Sequence, residues 1–213
     1  MASRSAREKA IDNLLLLYSI SEANRHGRAE GITKLVKIIF KAEHSLQKER
    51  IKAFSYPFVR YHYGPFSFEL GFEDYQGLVE EGLITSNARL TAKGNAILRE
   101  MAPVFEDNKE IMARIAKVVR AESGRNLAEL KKEIYAMTIK TPAGDLPIGE
   151  MPEKTPLLIN LPEENAKKIF KIDEGWLETL MTYLNAEECE SLKAAAAKAK
   201  GERALTYARV FGG

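Results

Sequence analysis

The feature that most limits the fold is the reversal at Gly64-Pro65, which joins a run of aromatic residues to an amphipathic segment. The residue before a proline is kept out of the α region, so the backbone there is extended or turning. Ser67 then stands where a helix N-cap is expected, and Phe68, Phe72, Tyr75 and Val79 recur at steps of four, three and four. That spacing puts them on one helical face, predicted to be a core face, with Gly82 as the left-handed stop. Leu83-Ile84-Thr85 and Ala88-Arg89-Leu90 flank the turn formers Ser86-Asn87, and Thr91 caps a further helix. Helix, hairpin and helix in this order predict the second half of a winged helix, with the hairpin as wing. The other side of the first helix carries Glu69, Glu73, Asp74, Glu80 and Glu81, and no Lys or Arg of that helix answers them.

The segments in front are helical by pattern. Ala10, Ile11, Leu14, Leu15, Leu17 and Tyr18 form a broad apolar face ending near His26-Gly27, after a tail of seven residues expected to fray. A second helix from Thr33 is apolar on nearly all sides, leaving only Lys34, Lys37 and Lys41 as a stripe. The stripe has two readings: a solvated edge whose ammonium groups reach water, or a row facing phosphates. Residues 54–63 are rich in aromatic and β-branched types and broken by Pro57, which predicts an extended edge strand. Charge is uneven along the chain, with 12 basic and 6 acidic residues over 1–60 against 1 basic and 5 acidic over 61–90. The basic excess therefore precedes the winged unit.

Helices are predicted over Thr91 to Met101, over Lys109 to Ala121, and after Asn126, with Leu127, Leu130, Ile134 and Met137 inward. Together these give a mainly α fold with a small β component: a winged-helix-like domain over 1–140, a proline-rich linker with one short strand over 141–162, and a helical appendage over 163–213. Ile169, Trp176, Leu177, Leu180, Met181 and Leu184 are its expected packing residues, Ala194 to Ala197 strong helix formers, and Gly212-Gly213 a plain terminus.

Several functions are excluded or disfavoured. Cys189 is the single cysteine, so neither a disulfide framework nor a thiolate metal cluster is expected, and a reducing cytoplasm suits the chain. The apolar run Ile11 to Tyr18 is too short to span a membrane. No phosphate-binding, dinucleotide-binding, nucleophile-elbow or zinc-protease pattern occurs, and His26, His44 and His62 lie eighteen residues apart with no sign of the partners that orient metal-bound histidines. We therefore expect no catalytic, cofactor or metal site.

Thr33 to His44 (TKLVKIIFKAEH), Tyr61 to Ser67 (YHYGPFS), Leu78 to Ile84 (LVEEGLI), Arg89 to Gly94 (RLTAKG) and Asn126 to Ala136 (NLAELKKEIYA) resemble the Panacea domain. This is the family of SocA-like antitoxins and phage-associated proteins, related to YwgA-like chains, and the likeness covers roughly residues 10–140. The resemblance implies a non-enzymatic domain that neutralises a toxin or acts as a protein adaptor, its partner a toxin or a protease- or adaptor-type protein, with the winged helix reused for protein contact.

Two functional readings result. In the first, the chain is a protein-interaction module using Tyr61, His62, Tyr63, Pro65, Phe66, Glu69, Glu73 and Asp74, alone or as a dimer. A recognition helix enters a groove flanked by phosphates and carries basic or amide side chains. Here that position is acidic, which disfavours DNA. In the second, the chain is a DNA-binding regulator that contacts phosphates through Lys34, Lys37, Lys41, Arg60, Arg89 and Lys93.

Overall fold

The computed structural model describes residues 4–27, 31–141 and 144–185. The fold is mainly α with a small β component.

Helix α1 (Ala6–His26) starts at a capping box. Ser5 Oγ accepts from the Glu8 N–H at 3.2 Å, and the Glu8 carboxylate accepts from the Ser5 N–H at 2.9 Å. Reciprocal satisfaction of two orphan donors fixes the helix start. The expected frayed tail is thus corrected from residue 4 onward, since the Arg4 side chain is only 7% exposed. Leu14, Leu15, Leu16 and Leu17 are all fully buried, so α1 is wrapped on every side. Helix α2 (Ile32–Lys48) follows Gly31, whose φ of 85° lets the chain turn into it.

The strands are short. β1 (Ile51–Lys52) is followed by a hairpin of β2 (Phe58–Tyr61) and β3 (Gly64–Phe66), in register Val59↔Phe66, Arg60↔Pro65 and Tyr61↔Gly64. Helices α3 (Tyr75–Glu80), α4 (Ala92–Glu100), α5 (Ala102–Asp107), α6 (Lys109–Ser123) and α7 (Leu127–Ala136) come next. A second hairpin of β4 (Thr138–Thr141) and β5 (Gly144–Pro147) precedes β6 (Pro156–Leu158), β7 (Lys168–Ile169) and α8 (Glu174–Leu184).

β6 pairs antiparallel with the free side of β2, and β7 pairs in parallel with β1. The aromatic segment expected at an edge therefore supplies the middle strand of the order β3-β2-β6. Pro57 sits just before β2, where its missing N–H breaks no ladder bond. The proline-rich segment, expected to dock one short strand, carries both β5 and β6, and the chain beyond it packs back into the core. Phe170, Ile172, Leu177 and Leu180 join the core built by α1, α2 and α6. Buried Asn108 ties this return down: its amide donates to Val104 O and Lys171 O, and its Oδ1 accepts from the Lys171 N–H. Met181, expected to pack, is exposed, and Ala194 to Ala197, Cys189 and Gly212-Gly213 lie outside the described residues.

The caps read from sequence are present. Thr91 Oγ1 accepts from the Gly94 N–H, Asn126 Oδ1 from the Ala128 N–H, and Gly82 has φ 68° after α3. The wing takes a reduced form: one antiparallel bridge joins Ile84 to Leu90 around a tight turn in which Thr85 N donates to Arg89 O at 2.8 Å. Gly94 is pressed onto this turn, where a Cβ would stand 2.3 Å from Leu83 O.

Candidate protein-interaction surface

The segment after Ser67 does not form the α-helix that its spacing predicts. Residues Glu69–Asp74 form a π-helix that runs into α3, and the Tyr75 N–H donates to Leu70 O, five residues back. A π-turn widens the helix, and such turns recur at functional sites. The buried face is then Leu70, Gly71, Asp74, Tyr75 and Leu78. Phe68 and Phe72, expected in the core, are corrected to the surface, at 45% and 60% exposure. Gly71 permits this arrangement. The Phe66 ring lies against it, and a Cβ there would come within 2.7 Å of Phe66 Cζ.

The exposed rings form one patch. Phe66 packs edge-on to Phe68 at 5.2 Å between centroids and lies 5.5 Å from Phe72; Tyr61 lies 5.6 Å from Phe66 and 5.7 Å from Phe68. Tilted and edge-to-face rings at these separations attract one another beyond their burial. Tyr63, 66% exposed, stands at the turn, where the Lys131 ammonium sits 4.7 Å from its ring centre, and no ring contact joins it to this patch among the described residues. His62 is exposed and bonds Glu153 through Nδ1 at 2.7 Å. Pro65, by contrast, is buried, so it shapes the turn and offers no contact surface.

The acidic face divides into two parts. Glu69 and Glu73 border the rings, with Glu69 held by the Ser67 hydroxyl at 3.1 Å. Asp74 is fully buried, which corrects its assignment to the surface. Arg4 grips it with both guanidinium nitrogens, at 2.6 and 3.1 Å, and Tyr56 donates its hydroxyl to it at 2.8 Å. The same Arg4 Nη1 reaches the buried Asp12 at 2.8 Å and Nη2 lies 3.4 Å from Glu73. The carboxylates of the helix thus do have a basic partner, brought from 70 residues away. Burial pushes the Asp12 carboxyl up to about 7, against the opposing pull of Arg4 and of the Ser55 N–H. Burial also raises Glu43 well above the usual carboxylate range, with the Asp12 charge adding to it.

The lysine stripe of α2 faces neither water nor an open surface, which corrects both readings. Lys34 and Lys37 are buried, donating to Ser123 O at 2.7 Å and to Pro65 O at 2.5 Å. Lys41 is held between Glu122 and Glu133. Burial, with the charges of Lys131 and Arg60, lowers the Lys37 ammonium to about 8. Arg60 is partly buried, lies 5.3 Å from the Tyr135 ring centre and donates to Ile148 O. Of the six candidate phosphate contacts, Arg89 and Lys93 are exposed. His44 stacks on Phe40 inside α2 at 5.9 Å, and burial lowers it to about 4.

Spacing alone hid Phe68 and Phe72. A signal was nonetheless present: Leu70, Asp74 and Leu78 also recur in steps of four, and Gly71 lies within reach of Phe66. Compared with family models, with curated proteins and with solved structures, the chain matches none.

Proposed function

We propose that this chain is a non-enzymatic protein-interaction module, antitoxin-like or adaptor-like, that binds its partner through Tyr61, Tyr63, Phe66, Phe68 and Phe72, bordered by Glu69 and Glu73. The observation that carries the reading is the exposure of Phe68 and Phe72 on a layer of rings, beside carboxylates. Aromatic anchors in a contiguous patch are the side chains that dominate binding at protein interfaces. Phosphate is disfavoured there, because the Glu69 carboxylate, which meets no cation among the described residues, costs a phosphate at short range on the order of 1 kcal/mol.

The DNA-binding alternative keeps two exposed contacts, Arg89 and Lys93. Two phosphates neutralised correspond to a logarithmic salt slope of about −2, a weak and nonspecific interaction. Affinity purification with quantitative mass spectrometry, run in parallel on the wild type and on Phe68→Ser/Phe72→Ser, tests the proposal. One or more proteins held by the wild type and lost by the variant are expected. Identical recovery with both, or nanomolar sequence-specific duplex binding, refutes it.

A further inference from the structure

Beside the aromatic patch lies a cleft of about 440 Å³ that shares Glu69 with it. The basic groups on its floor are already neutralised. Lys52 Nζ meets the Glu8 carboxylate at 3.1 Å and the Asn160 carbonyl oxygen, and the Asn160 amide donates to the same Glu8 oxygen at 2.9 Å. Arg4 is committed to Asp12, Asp74 and Glu73. The remaining charged groups of the lining are Glu69 and Glu163, and among the described residues neither meets a cation. Ile159 supplies an apolar wall, 62% exposed. A cleft whose cations are spent and whose free charges are both negative is complementary to a cation on an aliphatic stem.

Resting on the interaction reading above, we propose that the partner docks a short segment carrying an aromatic or large aliphatic residue close to a Lys or Arg. The apolar side chain seats on Phe68 and Phe72. The cation enters the cleft toward Glu69 and Glu163, its methylene stem lying along Ile159, as long basic side chains do when an apolar wall leads to a carboxylate. Negative charge bordering the rings then selects for the basic residue and against acidic or phosphorylated segments.

The test uses the full chain panned against a phage-displayed random peptide library, with the enriched peptides synthesised and titrated by fluorescence anisotropy. The wild type, Phe68→Ser/Phe72→Ser and Glu69→Gln/Glu163→Gln are compared after thermal melts confirm that each is folded. Expected peptides pair an aromatic or aliphatic residue with Lys or Arg. The charge variant should weaken them about tenfold, a change of roughly 1.4 kcal/mol, and wild-type binding should fall as salt rises. Peptides lost by the Phe variant but bound equally by the charge variant, or enriched peptides without a basic residue, overturn the cation cleft and leave the aromatic reading standing. Peptides bound equally by the wild type and the Phe variant, or no enrichment at all, overturn both.

Discussion

Replacing Arg4 with Gln tests whether the buried polar cluster holds the π-helix in place. Two carboxylates with no side-chain exposure, Asp12 and Asp74, share this one guanidinium. Removing one partner from a buried ion pair, so that a charge is left uncompensated, costs about 3–5 kcal/mol. The loss depends on pH in a direction that Asp12 fixes. Its folded carboxyl titrates near 7, above the ordinary value of 3.8, so the folded state holds this proton more tightly than the unfolded chain. Its stabilising contribution is complete below the ordinary value and is lost as pH rises through about 7. In Arg4→Gln the burial remains while the pull of Arg4 is gone, so Asp12 titrates higher and its destabilising ionisation moves to higher pH. At about pH 8.5 the variant should be less stable by the full amount, and at about pH 6, where Asp12 is protonated, by roughly 1–2 kcal/mol less. Urea unfolding followed by circular dichroism at both pH values measures the difference. A loss below about 1 kcal/mol at the higher pH, or one that does not change between the two, would refute the reasoning.

Three other substitutions probe separate parts of the fold. Lys37→Met removes a buried ammonium whose one acceptor is a carbonyl, and at neutral pH should raise stability by about 1–2 kcal/mol after the lost hydrogen bond is counted. Because the Lys37 ammonium falls from 10.5 to about 8 on folding, wild-type stability rises with pH across that window, and the advantage of Met should vanish there in denaturant titrations. Asn108→Ala deletes one buried and two part-buried hydrogen bonds, to Val104 and Lys171, and should cost about 2–3 kcal/mol, with faster amide exchange over residues 168–172. Gly94→Ala drives a methyl group to within 2.3 Å of Leu83 O and should cost about 1–3 kcal/mol, read as a lower midpoint in thermal melts.

The legible part of the sequence was local. Apolar periodicity located α1, α2, α6 and α7, and single residues marked their ends, because a cap acts within a few positions of itself: Thr91 on Gly94, Asn126 on Ala128. The errors share a different cause. Periodicity tells which residues share a face but not what that face meets, so Lys34 and Lys37 looked solvated although carbonyls of Ser123 and Pro65 await them. β2 looked like an edge because its second partner lies almost a hundred residues later, at Pro156–Leu158. Asp74 looks free in sequence because its partner, Arg4, lies 70 residues earlier. The candidate surface is legible as the stretch 61–73, yet a helical step of four assigns Phe68 and Phe72 to the interior, where Gly71 and Phe66 instead open the turn into a π-helix that exposes them.

That inversion bears directly on the energetics of binding. Burying a Phe side chain contributes about 1.5–3 kcal/mol, and this fold forgoes much of that for Phe68 and Phe72 while its interior is filled by Leu70, Tyr75 and Leu78. A partner that covers both rings recovers part of it without any reordering of the patch, because Phe66 and Tyr61 already hold the rings from beneath and Arg4 fixes the helix that carries them. If half of the roughly 3–6 kcal/mol for the two rings is recovered, the gain is about 1.5–3 kcal/mol, or roughly ten- to a hundredfold in affinity. Charge cannot supply a comparable amount at this surface, since exposed ion pairs contribute about 0–1 kcal/mol each. The rings should therefore set how tightly a partner is held, and Glu69 with Glu163 which partner is accepted.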